Sequence, residues 1–245
     1  MTNRRQVLGL AAALGMAPLA QAEAARRLNI VTSHLPPLVM ENGTQPGALM
    51  ELVQLLCERL QTETEIDFVP WQRAIFLASK MPATAIFPLT RNAEREKHFR
   101  WLAPLYEEHY VFLARHGADF DLKRPKEMRS KRIALLRGAG QAAIMRELGY
   151  TNLVESTSID EVHRFLLGGM ADAAFGERNI IRASLRSRGE VKDFQQSAPV
   201  RTTTAWLAGS LDFTKKEAER YQRAMAGMQA DGSVARILKR YGLED

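Results

Sequence analysis

Apolar and polar positions follow two different periods along the chain. Short apolar runs of strand length, such as Leu28–Thr32, are followed by segments in which apolar residues recur every three or four positions. The helical period is clearest after Gly47, at Leu49, Leu52, Val53, Leu56 and Leu60. Strands that alternate with helices are typical of βαβ units and a largely parallel sheet. The pattern therefore predicts an α/β protein.

The alternation of strands and helices occurs in two series. The first series contains predicted strands and helices at Leu28–Thr32, residues 49–60, Ile66–Val69, Trp71–Lys80 and Ala85–Leu89. A polar connection over residues 116–132 precedes the second series, which runs to about residue 186. Predicted strands at Tyr110–Ala114 and Thr203–Ala208 connect the two series. We expect two lobes, residues 25–112 plus 204–245 and residues 113–203, which face a cleft suited to a small ligand.

The N terminus has the features of a cleavable signal peptide. A basic start with Arg4 and Arg5 precedes the apolar run Val7–Leu19, and the small residues Ala20 and Ala22 follow it. The run is too short to span a bilayer. The paired arginines favour the twin-arginine export route, with an ordinary Sec signal as the alternative. We expect residues 1–22 to be removed, leaving a soluble periplasmic protein. No cysteine stands directly after this site, so we do not expect a lipoprotein.

Composition narrows the classes of partner. The formal net charge is +6, and because residues 1–22 contain two arginines and no acid, the remainder carries +4. The charges are interleaved and form no basic stripe, so nucleic acid is not expected as a partner. Cys57 is the only cysteine and cannot form an intrachain disulfide, and the five histidines show no metal-site spacing. We expect a monomer without metal or cofactor.

The segment Thr90–Lys97, directly after a predicted strand, is the first candidate site. Thr90 offers a hydroxyl group, and Arg91 and Arg95 offer guanidinium groups, at the end of a strand where α/β sheets bind ligands. The planar guanidinium fork matches a carboxylate in a bidentate manner that lysine cannot reproduce. The alternative is a solvated, charged turn.

A glycine-containing turn between a strand and a helix is the second candidate site. Backbone N–H groups of Gly138, Ala139 and Gly140 at a helix start form a candidate anion site. The same residues fit the dinucleotide pattern G-x-G-x-x-A, with Glu155 after the next strand. Glu155 lies closer to the glycines than the acid that binds the ribose in dinucleotide sites. The predicted export of the protein also argues against a nicotinamide cofactor.

Further candidates lie at the ends of other predicted strands. Glu177 follows a strand and offers a carboxylate for an ammonium group; the alternative is an acid that stabilises a helix N-terminus. Trp71 and Arg73 follow Pro70 and are candidates to line the cleft, although a core position for Trp71 is the alternative. Ser33 and His34, directly after the first strand, complete the candidate ligand-binding set.

With these motifs placed, the chain resembles the family 3 extracellular solute-binding proteins of polar-amino-acid uptake systems. The resemblance covers Leu28 to Tyr241 and depends on the order and spacing of several short motifs. These are Pro36-Pro37, Gly47 before Glu51-Leu52, Thr90-Arg-Asn-Ala-Glu-Arg95, Trp101–Tyr106, Arg137-Gly138, Gly169–Phe175 and Asp231-Gly-Ser233. The resemblance implies the two-lobed type II periplasmic-binding-protein fold with two crossover segments.

The resemblance also implies roles for individual residues. Arg95 and Thr90 match the family residues that hold the ligand α-carboxylate, the turn at Gly138 adds donors, and Glu177 matches the acid that holds the α-ammonium group. Several positions depart from the family pattern. Leu49 replaces an aspartate, Leu38 stands where an aromatic residue often covers the ligand, and Glu177 is one methylene longer than the usual aspartate. Ala139 and Gly140 stand where hydroxyl residues are common, so only backbone N–H groups remain in the turn. Recognition of a carboxylate survives these changes better than recognition of an amino group.

The sequence therefore predicts a receptor that closes around a small carboxylate-bearing solute, with an amino acid as the leading class, for delivery to an inner-membrane ABC permease. One alternative is a periplasmic enzyme on the same scaffold, a dehydratase of a prephenate-like acid with Glu177 as general acid. The other is a binding subunit that serves a sensor or a periplasmic enzyme.

Overall fold

Strands and helices alternate through the parts of the chain that the structure, a computed structural model, describes: residues 27–124 and 126–243. The strands are β1 Leu28–Thr32, β2 Thr64–Phe68, β3 Thr84–Thr90, β4 Arg100–Arg115, β5 Ile133–Leu136, β6 Leu153–Ser156, β7 Ala173–Glu177, β8 Phe194–Gln196 and β9 Arg201–Gly209. The helices are α1 Ala48–Arg59, α2 Trp71–Lys80, α3 Gln141–Glu147, α4 Ile159–Leu167, α5 Arg178–Arg188, α6 Lys215–Ala230 and α7 Ser233–Arg240. The predicted signal peptide lies outside the described residues.

The strands form a mixed sheet in the order β2-β1-β3-β9-β4-β7-β5-β6, with β8 paired to β4. β1 pairs in parallel with β2 and β3, and β5 pairs in parallel with β6 and β7. Between these two parallel sets, β9 and β4 are antiparallel to their neighbours. The predicted two-lobed α/β architecture is confirmed, and β4 and β9 are its two crossover segments.

The crossover strand β4 is much longer than the sequence pattern predicts. The predicted strand covered only Tyr110–Ala114, whereas β4 begins at Arg100 and has 16 residues. Pro104 argues against a strand because proline cannot donate a ladder hydrogen bond. The register with β9 shifts between Pro104 and Tyr106, and this irregularity accommodates the proline. Trp101–Tyr106 is therefore part of the connection between the lobes.

Separate hydrophobic cores define the two lobes. One core joins α1, α2, α6 and α7 to strands β1–β3 and to the first half of β4. Two smaller cores lie around β5, β7 and the second half of β4, under α3, α4 and α5. We refer to these groups as lobe one and lobe two; the exact residues at which they divide stay a prediction. Within the described residues, no helix is long and apolar enough to cross a membrane.

Helix α6, which precedes the last helix α7, begins with a reciprocal capping box. The Thr214 hydroxyl accepts a hydrogen bond from the Glu217 backbone N–H at 3.1 Å, and the Glu217 carboxylate accepts one from the Thr214 backbone N–H at 2.6 Å. The two bonds satisfy donors that have no partner within the helix. Because Ala218, Tyr221, Met225 and Met228 of α6 are buried, this cap fixes a helix that packs on lobe one.

We expect Thr214→Ala to lower the free energy of unfolding by about 1 kcal/mol, since the helix start loses its side-chain acceptor. Lys215→Ala, at the exposed next position, is the matched control and should leave stability within about 0.5 kcal/mol. Urea unfolding followed by circular dichroism measures both variants. Equal stabilities of the two variants would contradict the role of the cap.

Candidate functional site

The two lobes touch each other at the turn between β5 and α3. A Cβ atom built on Gly138 would lie 3.6 Å from Ile75 Cδ1 and 3.7 Å from Gln72 Cβ, both on helix α2 of lobe one. A Cβ atom on Gly140 would lie only 3.0 Å from Thr90 Cβ. The absence of a side chain at Gly140 therefore permits the close approach of lobe two to Thr90. At Gly138 a Cβ atom would make only ordinary contacts, and it is the positive φ of 76° that favours glycine there.

The guanidinium group of Arg95 bridges the lobes at this contact. Nη1 donates a hydrogen bond to the Thr90 carbonyl oxygen at 2.8 Å, and Nη2 donates one to the Gly138 carbonyl oxygen at 2.7 Å. Burial lowers the pKa of Arg95, although Tyr110 and Glu108 act in the opposite direction. Arginine nevertheless stays charged in proteins. The Gly138 turn thus presents a carbonyl acceptor to Arg95, in addition to any N–H donors that it offers to an anion.

Thr90 belongs to a buried polar cluster with two residues of β4. Its Oγ1 donates to Glu108 Oε2 at 2.9 Å and lies 3.1 Å from the Tyr110 hydroxyl oxygen, which donates to Glu108 Oε1 at 3.1 Å. Burial, reinforced by the nearby Glu177, raises the pKa of Glu108 to about 7. The hydroxyl that the sequence assigns to a ligand therefore has partners within the protein.

Glu177 caps helix α5. Its Oε2 accepts hydrogen bonds from the backbone N–H groups of Asn179 at 2.8 Å and Ile180 at 2.9 Å. Its Oε1 accepts one from the Tyr106 hydroxyl at 3.3 Å, and Tyr106 in turn accepts one from the Asn179 side chain. Burial raises the pKa of Glu177, and these hydrogen bonds oppose the shift. The geometry thus shows the helix-capping role that the sequence left as an alternative.

A large cavity lies between the lobes, and we call it the main cleft. Its volume is about 600 Å³, within the range typical of small-molecule sites. Lobe one contributes Ser33, His34, Phe68 and Trp71, and lobe two contributes Thr157, Ser158, Ile180 and Ser184. The lining is rich in hydroxyl groups and aromatic rings. It can surround a small polar molecule from both lobes.

A smaller cavity of about 270 Å³ lies on the other side of the contact between α2 and the glycine turn, and we call it the side cleft. Arg95, Gly138 and Ala139 line it together with Gln72 and Arg146. Trp71, the first residue of α2, lines the main cleft, and the adjacent Gln72, which lies beside Gly138, lines the side cleft.

The structure thus divides the predicted site residues into groups. Ser33, His34 and Trp71 line the main cleft; Arg95, Gly138 and Ala139 line the side cleft; Thr90 and Gly140 face each other between them. Glu177 lines a small apolar cavity inside lobe two, and Arg73 is exposed and lines none of these three cavities. That all ten residues serve one ligand stays a prediction.

Three further positions show where the sequence was hard to interpret. The buried carboxylate of Glu108 was missed, although a pair of acids at Glu107-Glu108 within a strand places one of them on an inner face. Leu38 and Leu49, which depart from the family pattern, are completely buried in the core of lobe one. Their role is therefore packing.

The sequence profile of "Bacterial extracellular solute-binding proteins, family 3" matches residues 28–244. The chain belongs to this family. No curated protein matches it. The members of this family are named for the binding of solutes, which supports a binding protein. The part of the chain at 27–124 and 126–243 holds no group of three or more metal-ligating side chains.

Several solved structures share the fold at low sequence identity. A substrate-binding protein of an ABC uptake transporter from Streptococcus pneumoniae with bound histidine is 14% identical, with a TM-score of 0.76 over 90% of this chain and 94% of that chain. The ligand-binding core of GluR0 from Nostoc punctiforme with L-glutamate is 16% identical, with a TM-score of 0.76 over 89% of this chain and 100% of that chain. A histidine kinase sensor domain similar to periplasmic binding proteins is 16% identical, with a TM-score of 0.79 over 88% and 96%.

The contact between Gly140 and Thr90 gives a test of the lobe arrangement. We expect Gly140→Leu to hold the lobes apart, because the new side chain would occupy the space of Thr90. Small-angle X-ray scattering should then show a larger radius of gyration than for the wild type.

Gly227→Leu is the control, since a Cβ atom there meets nothing within 4 Å. If the lobes of Gly140→Leu instead stay together, overpacking should lower the free energy of unfolding of this variant by about 1–3 kcal/mol. Scattering and stability of Gly140→Leu that both equal those of the wild type would contradict the observed contact.

Proposed function

We propose that this family 3 protein captures a small carboxylate-bearing solute, with an amino acid as the leading class, between its lobes. The observation that carries the proposal is the bridge made by Arg95, which donates to one carbonyl oxygen from each lobe beside the glycine turn. A charged donor at the junction of two lobes is suited to an anion that both lobes contact.

Arg95 uses two N–H groups on carbonyl oxygens at 2.7–2.8 Å, a geometry that a carboxylate oxygen can adopt. We propose that a solute carboxylate replaces the Gly138 carbonyl as a partner of Arg95. The contact between α2 and the turn separates the two clefts, so a small separation of the lobes would connect Arg95 with the main cleft. The rest of the solute would then lie against Trp71 and the hydroxyl groups of the main cleft.

Closure would bring the lobes together through changes in β4 and β9, the two strands that connect them. Micromolar affinity requires about −8 kcal/mol, and one charge-assisted hydrogen bond contributes roughly 1.5–3 kcal/mol. Several polar contacts and apolar walls must therefore act together. The hydroxyl groups and aromatic rings of the main cleft supply both kinds of surface.

We further propose that the protein is exported to the periplasm, acts as a monomer and delivers its solute to an ABC permease. The leader at residues 1–22 supports export, and family membership supports uptake. The enzyme and the sensor subunit stay alternatives. Intact release of the bound solute supports a binding protein, whereas turnover of the solute would support the enzyme.

A thermal-shift screen tests the ligand class. We expect an amino acid with a free α-carboxylate to stabilise the protein, by about 2.7 kcal/mol when its concentration is 100 times Kd. L-Arginine and L-histidine should be compared with the amines agmatine and histamine, which carry no carboxylate. L-Glutamate should be compared with 4-aminobutyrate, an acid that keeps only the side-chain carboxylate. Succinate tests whether a carboxylate without an amino group is sufficient. Stabilisation by the amines and not by the acids would contradict the proposal.

Arg95→Lys tests the carboxylate contact. We expect affinity for the best acid of the screen to fall by about tenfold or more, since lysine keeps the charge but loses the planar fork. Arg91→Lys is the matched control, because Arg91 lies over the rings of Trp101 and Trp206 and pairs with Glu96. Isothermal titration calorimetry measures both variants. Equal affinities for Arg95→Lys and the wild type would remove Arg95 from the site.

A further inference from the structure

The side chains of Thr90, Tyr110 and Glu108 form a closed triangle of three polar groups, to which Glu108 contributes both of its carboxyl oxygens. The Thr90 hydroxyl oxygen lies 2.9 Å from Glu108 Oε2, the Tyr110 hydroxyl oxygen lies 3.1 Å from Glu108 Oε1, and the two hydroxyl oxygens lie 3.1 Å apart. All three distances are close to hydrogen-bond length. The triangle therefore contains three contacts that each require one hydrogen atom.

The number of hydrogen atoms in the triangle depends on the charge of Glu108. The two hydroxyl groups supply one hydrogen each, so an ionised carboxylate leaves one oxygen–oxygen contact without a hydrogen. A protonated carboxyl group supplies the third: Glu108 then donates to the Tyr110 hydroxyl oxygen, Tyr110 donates to Thr90, and Thr90 donates to Glu108, so that only the contact between Tyr110 and Glu108 reverses its direction. We propose that Glu108 stays protonated in the native protein up to about neutral pH, and that this proton positions Thr90 and is linked to the capture of a solute carboxylate. The second half of this inference rests on the proposed function.

The surroundings of Glu108 favour the neutral form. The residue is only 4% exposed, and among the described residues its carboxyl oxygens have the hydroxyl groups of Thr90 and Tyr110 as their hydrogen-bond partners. Arg95 is the nearby cation, yet it donates its hydrogen bonds to carbonyl oxygens. On β9, the residue paired with Glu108 is the uncharged Thr203. An ionised carboxylate without a paired cation is costly to bury.

A second acid faces Glu108 from lobe two. Glu177, at the end of β7, raises the pKa of Glu108, while Arg95 and the hydroxyl groups of Thr90 and Tyr110 lower it. Burial is the largest influence, and the resulting pKa is about 7. The proton is therefore held at a pH at which an ordinary glutamate would have lost it.

Proton binding at Glu108 is then linked to solute binding. A solute carboxylate held by Arg95 would add a negative charge next to the triangle, and this favours the protonated form of Glu108. By linkage, loss of the proton weakens solute binding. The affinity of the wild type should fall by up to about tenfold per pH unit above pH 7.

The first experiment measures stability without any ligand. Unfolding of the wild type and of Glu108→Gln is followed from pH 5 to 8, with Glu58→Gln at an exposed position of α1 as the control. A raised folded-state pKa stabilises the protein at low pH, and this contribution is lost as pH rises towards 7. Glutamine keeps one acceptor and adds donors, so it imitates the protonated acid.

We expect the unfolding constant of the wild type, relative to Glu108→Gln, to rise by up to about tenfold per unit between pH 5 and 7 and then to level off. Glu58→Gln should follow the wild type. Parallel profiles for the wild type and Glu108→Gln would overturn the inference.

The second experiment uses L-glutamate and L-arginine as probes at pH 6 and pH 8, where the charges of both are constant. Wild-type affinity should be weaker at pH 8, by up to about tenfold, whereas Glu108→Gln should bind equally at both values. The same pH dependence in both proteins would overturn the linkage. Binding of neither probe to either protein would count against the linkage and the proposed function together, while the stability profiles would still decide whether Glu108 holds a proton.

Discussion

The bridge between Arg95 and the carbonyl oxygens of Thr90 and Gly138 is the contact on which the arrangement of the site depends. A guanidinium group can satisfy an acceptor from each lobe only if the two backbones approach closely. Gly140 permits this approach, because a Cβ atom there would lie only 3.0 Å from Thr90 Cβ, and Gly138 supplies the left-handed backbone of the turn. The same contact divides the space between the lobes into the main cleft and the side cleft. A single charged side chain therefore links the shape of the cleft to the chemistry of its ligand.

Two buried acids lie near this bridge, and the structure accommodates them in different ways. Glu177 accepts backbone N–H groups at the start of α5, where the orphan donors of the helix and its dipole favour a negative charge. The carboxyl group of Glu108 has hydroxyl groups rather than backbone N–H groups as its partners, so its neutral form is favoured. The cluster behind Arg95 therefore carries less negative charge than its composition suggests. This leaves Arg95 suited to a carboxylate from outside the protein.

The connection between the lobes explains why these groups act together. β4 and β9 pair with each other along most of their length and pass from lobe one into lobe two. Glu108 and Tyr110 lie on β4, and Thr90 ends β3 on the other side of β9. A rotation of the lobes about these strands would change the surroundings of Arg95, Thr90 and Glu108 together.

Local patterns were sufficient to predict the elements and the candidate anchors. β1 and α2 have the predicted bounds, and the segment from Thr90 to Arg95 was recognised because a hydroxyl and a guanidinium group follow a buried strand. The length of β4 was not predictable, because Pro104 interrupts a strand pattern that only pairing with β9 restores. The tertiary structure alone decided which partners the anchors have. Hydrogen bonds from Arg95 to Gly138 and from Thr90 to Glu108 join residues from different elements, and no local periodicity records such distances.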